Sequence, residues 1–454
     1  MENNSLLRYN QSMNDPLSKV DMIREAFYYQ SRYEGSAMVF KIDFPVTQSP
    51  GFPGMIKDLA LLSKTGFKVI IVPGAREWID SVLSRYDIDF SRKETENPVR
   101  ITSSKAIPFV EMAAFNVATN YMTLLSGARV EALIGNFVRA RGLGVINGID
   151  MEHTGKVDKI YAQSLGRVLN LGMIPILPCI GWSPAGKPYN VPADEIALAA
   201  STALKAAKLF IISTDDELKA SSFGQKGLEA RENGSLVRLT PQQAQSILER
   251  GAESEAQKPA LSKLKLALDA LQGGVERVHI VDGREEGAVL KELLSNLGSG
   301  TMVYADEYES IHPLRSRDLP DVMRLMEPLM AKGILVRRSL EQIQEKKADY
   351  AICKLDESVR ACGALHDWGE GQGEIAAIAT DPAYTQLGLG SRIVGYLIEK
   401  ARKIGMRRVF ILTTRTHDWF ESLGFESAAV ASLPEKKREK YDEKRNSKVF
   451  ALEL

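Results

Sequence analysis

Two rhythms of apolar and polar positions follow one another along this chain. From about Met38, short apolar runs alternate with helical patterns. AMVFKID and FKVIIVPG precede helical stretches at 75–86 and 104–125. MIPILPCIG, PADEIALAASTALKAA and KLFIIST come next, and VERVHIVDG leads into EEGAVLKELLSNLG. Near-continuous apolar strands separated by helices predict an α/β unit with a mostly parallel, doubly wound sheet covered on both faces. Thr240 as a cap, with Pro241 in the first helical position, marks one further helix start. The stretch 251–258 is polar and reads as a loop.

A second rhythm sets in near Thr301. Helical patterns at 318–332 and 339–346 are followed by DYAICKL and VRACGALHDW, two alternating strands joined by the turn DES as a hairpin. GEIAAIATD and RRVFILTT are strands on either side of a glycine turn, and SKVFALEL closes the chain as a strand. The expected organisation is a flexible tail at 1–19, a first domain at 20–300 and a second, α/β (α+β) domain at 301–454. No internal repeat is visible.

Composition narrows the function classes. A chain of 454 residues exceeds one ordinary core. The 58 basic and 58 acidic residues cancel, so nothing points to a nucleic-acid partner. Cys179, Cys353 and Cys362 are odd in number and, with five scattered histidines, make no metal-ligand pattern; the expectation is a reducing, cytoplasmic setting and no metal. The first twenty residues lack the apolar core of a secretion signal. LGMIPILPCIGW, the most apolar run, is too short and too rich in proline to cross a bilayer, so no membrane partner is expected.

Candidate chemistry gathers first around TQLGLGSR. A strand, a turn through Gly388 and Gly390, and a helix aim several backbone N–H groups at one point, where the helix dipole favours an anion. Glycine lets the backbone approach phosphate without a Cβ in the way. On spacing alone, phosphate binding and simple turn-shaping are evenly matched. The Gly-x4-Gly-Lys-Ser/Thr pattern of nucleotide triphosphate loops is absent.

The order of elements around this turn resembles the GNAT family of N-acetyltransferases. Their coenzyme motif, Arg/Gln-x-x-Gly-x-Gly/Ala, falls on Thr385, Gln386, Leu387, Gly388, Leu389 and Gly390, with Ser391 next in the helix as a further coenzyme candidate. Thr385 stands where Arg or Gln is usual; that departure costs one side-chain phosphate contact and leaves the backbone cradle. FILTTRTHDWFESLGF, LPEKKREKYDEKRNSKVF and GILVRRSLEQI resemble the bacterial N-acetylglutamate synthases of the two-domain kind, and the likeness extends from about Ile23 onward. It implies direct transfer of acetyl from acetyl-CoA to the amine of L-glutamate, the first step of arginine biosynthesis. That chemistry needs a base, an oxyanion site and a proton for the leaving thiolate. The resemblance gives Glu374 the base role and places Thr413 near the thiolate, with Tyr441 as a rival proton donor. The oxyanion is expected at a backbone N–H of the central strand, around Ala377, Ile378 and Ala379. Glutamate carries two carboxylates, each suited to an Arg fork. By resemblance Arg338 grips one, Arg445 with Ser447 the other, and Arg415 is a further candidate. Trp419, Phe420, Leu423 and Phe425 read as core.

The first domain resembles the amino-acid kinase fold, acetylglutamate kinase above all. Lys41 stands at that family's phosphate-binding lysine. Asp43 and Phe44 replace the glycines that follow it, and Pro73, Gly74, Ala75 and Arg76 replace a His-Gly-Gly-Gly loop. A loop that must wrap phosphate with its backbone accepts such residues poorly. The expectation is no ATP binding and no kinase activity. VHIVDGREEGAVLKELLSNLGSGT resembles the arginine-binding region of arginine-sensitive kinases and synthases. His279, Arg284, Glu292 and Gly300 match positions that line or adjoin that site, and Tyr29 matches a tyrosine that covers the ligand. Ser299 stands where Ile is frequent. The N-terminal helix of arginine-sensitive kinases interlaces with a neighbouring subunit; that resemblance implies a homo-oligomer, a tetramer or hexamer, and Val20, Ile23 and Phe27 at helical spacing are consistent with such a surface. Two other readings stand beside the synthase: an acetyltransferase for another amino acid or a lysine, and a non-catalytic arginine sensor.

Overall fold

The structure, a computed structural model, describes residues 16–90, 100–214, 218–223, 228–231, 233–252, 254–295, 298–305, 309–356, 358–382, 384, 388–414 and 416–454. The chain forms two compact units, Met1–Asp306 and Glu307–Leu454.

The first unit opens with helix α1 (Pro16–Tyr33), followed by β1 (Ala37–Ile42), α2 (Phe52–Lys64), β2 (Lys68–Pro73), α3 (Arg76–Arg85), α4 (Ile107–Gly127) and β3 (Ala132–Ile134). Helix α1 takes up the last four residues of the expected tail, from Pro16. The chain then builds β4 (Val138–Gly142), a ribbon of β5 (Val145–Ile146) and β6 (Ile149–Asp150), β7 (Gly155–Ile160), α5 (Ala162–Asn170), β8 (Ile174–Ile176), β9 (Ile180–Trp182) and β10 (Pro188–Asn190). It continues with α6 (Ala193–Leu204), β11 (Lys208–Ser213), β12 (Glu229–Ala230), β13 (Leu236–Leu239), α7 (Pro241–Arg250), α8 (Lys258–Gln272), β14 (Arg277–Asp282), α9 (Ala288–Leu294) and β15 (Thr301–Tyr304).

Nine strands form the main sheet in the order β12-β13-β15-β14-β11-β1-β2-β8-β3. The pairs β1–β2, β1–β11 and β11–β14 are parallel, and β15 runs antiparallel to β14. Both faces are covered, as alternation within β1 shows. Met38, Phe40 and Ile42 enter one core cluster, Val39 the other. All four are fully buried, and each such side chain contributes about 1.5–3 kcal/mol of apolar burial. Capping at Thr240 is as the sequence suggests: its side chain accepts from the N–H of Gln243, whose own side chain returns to Thr240.

Two expectations need correction. MIPILPCIG is not one strand. Ile174–Ile176 belongs to the main sheet and Ile180–Trp182 to a second, four-stranded sheet, β10-β9-β4-β7; Pro178, which cannot donate to a ladder, lies in the break. The join at 300/301 also moves. β15 pairs with β14 and β13, so the stretch after Gly300 completes the first sheet before the chain passes into the second unit.

The second unit holds β16 (Glu309–Pro313), α10 (Leu319–Ala331), α11 (Leu340–Glu345), β17 (Tyr350–Leu355), β18 (Ser358–Asp367), β19 (Gln372–Thr380), α12 (Leu389–Lys403), β20 (Arg408–Thr413), α13 (His417–Ser422), β21 (Glu426–Ala428), α14 (Glu435–Arg438) and β22 (Lys448–Glu453). Its sheet runs β16-β17-β18-β19-β20-β22-β21. The expected hairpin is present: Leu355 faces Ser358, and Asp356 takes φ +49° in the two-residue turn. Strand β16 was not foreseen.

Candidate functional site

The sheet of the second unit opens in its middle. β19 and β20 pair in parallel only through Gln372–Arg408, Gly373–Val409 and Glu374–Phe410. Beyond Glu374 the ladder stops, while β19 runs on to Thr380 and β20 to Thr413. The edge of β19 that faces β20 therefore carries backbone groups without ladder partners from Ile375 onward. On its other edge β19 bulges: Cys362 pairs with Ala379 and Ala364 with Ala376, so Gly363 faces both Ala377 and Ile378. Ala377 takes φ +55°, a conformation that costs a residue with a Cβ about 1–3 kcal/mol. A Cβ on Gly363 would meet Ile378 Cδ1 at 2.5 Å and Ile393 Cγ2 at 2.6 Å, so only glycine lets the bulge close against α12.

Glu374 is the last residue of β19 paired with β20, and its carboxylate is buried at the mouth of this opening. It accepts from Trp368 Nε1 at 2.9 Å and from Lys437 Nζ at 2.7 Å to each oxygen. Thr413 ends β20; its hydroxyl is 2.9 Å from Thr416 Oγ1 and accepts the Thr416 N–H at 3.1 Å. Tyr441 does not face the opening freely, since its hydroxyl donates to the carbonyl of Ser447 at 2.8 Å.

At the start of α12, Gly388 takes φ +64° with open space where a Cβ would project. A Cβ on Gly390 would meet Trp419 Cζ2 at 3.3 Å and Thr380 Cγ2 at 3.4 Å. The first turn of α12, with Leu389 buried and Ser391 half-buried, has N–H groups with no partner inside the helix. This geometry fits a pyrophosphate at the helix N-terminus. Thr385, Gln386, Leu387 and Arg415 lie outside the described residues.

Of the expected carboxylate-binding residues, Arg445 reaches the loop that carries Arg338. Arg445 Nη2 donates to the Ile334 carbonyl at 2.5 Å, and Arg338 Nη1 to the Val336 carbonyl at 3.1 Å. Ser447, buried, follows Arg445 after Asn446, which takes φ +45°.

In the first unit, neighbouring strands bring the expected effector residues together. Phe210 on β11 lies beside His279 on β14, with their rings stacked at 4.8 Å. His279 Nδ1 is 2.7 Å from Glu292 Oε1, and Glu292 Oε2 accepts the N–H groups of Ser299 at 2.6 Å and Gly300 at 2.8 Å. Gly298 and Gly300 make this wrap possible. A Cβ on Gly298 would meet Glu292 Oε2 at 2.5 Å, and one on Gly300 the Ile280 carbonyl at 2.2 Å. Burial pushes the His279 imidazole down to about 4, with the nearby Lys208 acting in the same direction. Burial alone would raise the Glu292 carboxyl, but bonds from His279, Gly300 and Ser299 hold it at about 2. Tyr29 is buried and stacks with Tyr33. Lys208 Nζ lies over both rings, 5.6 and 4.6 Å from their centroids. Arg284 points elsewhere: it is exposed and grips Asp282 at 2.7–3.0 Å. The Gly300 carbonyl accepts from Arg231 Nη2 at 2.8 Å.

Several contributors went unforeseen. Lys208 begins an apolar strand, and a basic residue directly before the run was the available signal. Lys437 sits in the charge run EKKREK, which carries no signal of burial. At the resembled phosphate loop, Lys41 Nζ is held between Asp43 at 2.6 Å and Asp194 at 2.7 Å. Burial alone would lower its pKa, but the two carboxylates raise it well above the ordinary lysine value. The Asp43 carboxylate thus sits against the cation that a phosphate would need. Among the described residues, no group of three or more His, Cys, Asp or Glu side chains is placed to hold a metal ion, and no helix is long and apolar enough to cross a membrane.

Known proteins share this organisation. The amino acid kinase family matches residues 46–282 and the acetyltransferase (GNAT) family residues 316–425. The chain is 34% identical over 446 residues to the amino-acid acetyltransferase of Shewanella oneidensis, spanning 96% of this chain and 97% of that one. It is 32% identical over 449 residues to that of Pseudomonas paraeruginosa, spanning 96% and 99%. Among solved structures it is similar to N-acetylglutamate synthase from Neisseria gonorrhoeae complexed with coenzyme A and L-arginine. There the TM-score is 0.75 at 30% identity, covering 96% of this chain and 99% of that one. For the same enzyme complexed with coenzyme A and N-acetyl-glutamate, the TM-score is 0.58 at 31% identity with the same coverage.

Proposed function

The chain belongs to the amino-acid acetyltransferase family, and from that premise we propose that it is an N-acetylglutamate synthase regulated by arginine. It moves the acetyl group of acetyl-CoA to the amine of L-glutamate. The observation that carries this reading is the opening in the sheet of the second unit, where Glu374 is the last residue of β19 paired with β20 and β19 continues without a ladder on that edge. Glu374 takes a proton from the glutamate ammonium. A backbone N–H near the bulge at Ala377 or Ile378 receives the carbonyl oxygen as it gains charge. The Thr413 hydroxyl supplies a hydrogen bond or proton to the leaving thiolate. No covalent acetyl-enzyme is needed, since the amine attacks the thioester directly.

Gly388 and the first turn of α12 hold the pyrophosphate, and the loop Gly333–Arg338 with Arg445 and Ser447 holds the glutamate carboxylates. Gly388→Val forces a β-branched residue into a left-handed conformation, at a cost of order 1–3 kcal/mol. KM for acetyl-CoA is expected to rise about tenfold, with KM for glutamate nearly unchanged. Arg445→Ala removes charge-assisted hydrogen bonds worth about 1.5–3 kcal/mol. Initial-rate kinetics should show KM for glutamate raised about 10- to 150-fold and KM for acetyl-CoA unchanged, with partial recovery in Arg445→Lys.

The first unit carries the effector site, formed by Tyr29, His279, Glu292 and Gly300. The enzyme is cytoplasmic and homo-oligomeric, a tetramer or hexamer. Exposed Val20, Met22, Ile23 and Phe27 on α1 support a subunit contact there. One experiment tests substrate, reaction and regulation together: thiol release from acetyl-CoA with glutamate, with and without arginine. Equal rates with glutamate, aspartate and lysine would sink the glutamate assignment.

A further inference from the structure

Any amine that this site acetylates must first reach Glu374. In this structure an amine of the chain itself is already there. Lys437 Nζ lies 2.7 Å from each oxygen of the Glu374 carboxylate. Both side chains are shielded, at 15% exposure for Lys437 and 9% for Glu374. The indole of Trp368 completes the arrangement: its Nε1 donates to the carboxylate at 2.9 Å, and Lys437 Nζ stands 4.8 Å from its ring centroid. Lys437 comes from α14, a short helix that follows Pro434 and the buried Leu433. A primary amine thus occupies the hydrogen-bonding position that an acceptor amine must take at the base.

We propose that Lys437 is a second acceptor: when no amino acid occupies the site, the chain acetylates its own Lys437 Nζ. The inference rests on the reading of Glu374 as the base. Glu374 takes a proton from the lysine ammonium, and the freed Nζ lone pair attacks the thioester carbonyl carbon of acetyl-CoA. The C–N bond forms and the C–S bond breaks. Of the two protons that the nitrogen gives up, one passes to the leaving thiolate and one, through Glu374, to solvent. The products are acetyl-lysine and free coenzyme A, and no oxidant or reductant is involved. Acetyl-lysine is neutral and cannot ion-pair with Glu374. The two amines compete for the same carboxylate, so glutamate protects Lys437 from modification.

The test uses the full chain with acetyl-CoA and no amino acid, followed by peptide mass spectrometry over time. Lys440, whose Nζ lies 5.5 Å from the centroid of the same ring, is the internal control. The expected result is one acetyl group on Lys437 ahead of Lys440 and Lys436, suppressed by glutamate and slowed about 10²-fold or more by Glu374→Gln, the usual share of general-base assistance. Lys437→Arg removes the modified peptide; if that variant does not fold, glutamate protection of the parent protein decides alone. Acetylation spread evenly over exposed lysines, or unaffected by glutamate and by Glu374→Gln, overturns the proposal. Glutamate-dependent thiol release with Lys437 unmodified overturns it too and leaves the synthase reading standing. Lys437 acetylation without glutamate turnover supports it and removes glutamate as the substrate.

Discussion

Glu374→Gln lowers kcat for glutamate acetylation by about 10²- to 10⁴-fold, the contribution expected of a positioned general base. The substitution keeps shape but removes both the ability to take a proton and the negative charge that pairs with Lys437. An amide oxygen can still accept from Trp368 Nε1, and Lys437, without its ion pair, can still meet the face of the Trp368 ring. The fold of the second unit is therefore expected to survive, which thermal denaturation of the variant checks. KM for glutamate should change little, because the proposed carboxylate partners are Arg445 and Arg338 rather than Glu374; a fall in kcat at constant KM marks an interaction made only in the transition state. Raising the pH should recover part of the variant's rate, as solvent takes over deprotonation of the amine. A rate equal to the parent's at neutral pH would remove Glu374 from the mechanism and transfer interest to Thr413 and Tyr441.

What the sequence made legible follows from burial. β1, β2, β11 and β14 are buried on both faces, and such strands show as continuous apolar runs bounded by helical patterns. The second sheet was not legible. β7 alternates irregularly between buried and exposed positions, and β9 and β10 have three residues each, too few for any period to register. The glycine turn was visible in the pattern, but its coenzyme and the role of Glu374 came through family resemblance, because these candidates lie at strand ends, where spacing alone decides little. Lys437 could not be found that way. It belongs to a charge run in which Glu435, Lys436 and Arg438 face solvent, and only the tertiary fold turns one of the four inward. Arg284 is the converse case: it matched the expected region, yet the local turn gives it Asp282 as a partner, away from His279 and Glu292.

Arginine is expected to inhibit the parent enzyme and to leave Glu292→Gln unaffected. A guanidinium is recognised most strongly by a carboxylate that can accept two parallel N–H bonds, and Glu292 is the carboxylate of this cluster. It is also the group around which 298–300 is wrapped, through the N–H groups of Ser299 and Gly300. A ligand that engages it therefore acts on that loop and on α9 together. Binding also stabilises the folded unit, by about 2.7 kcal/mol at a hundredfold excess over Kd, so a rise in Tm with arginine in the parent and none in Glu292→Gln is the second readout. Gln keeps an oxygen for the two backbone N–H groups, which separates loss of charge from loss of the loop; Glu292→Ala would remove both.

Acid sets the limit of this arrangement. His279 binds a proton only near pH 4 when folded and near 6.5 when unfolded, so the unfolded chain binds more protons between those values and stability falls as pH drops through them. The Glu292 carboxyl, at about 2 when folded and 4.5 when unfolded, contributes stability that is complete above 4.5 and lost as pH falls toward 2. From pH 7 upward Glu292 is charged and His279 neutral in the folded state, so stability is flat there with respect to both groups. Urea unfolding followed from pH 7 to pH 4 should show the loss, reduced in His279→Gln. If arginine still inhibited Glu292→Gln with unchanged potency, the effector would lie elsewhere, and the wrapped carboxylate would be a structural clasp between α9 and β15.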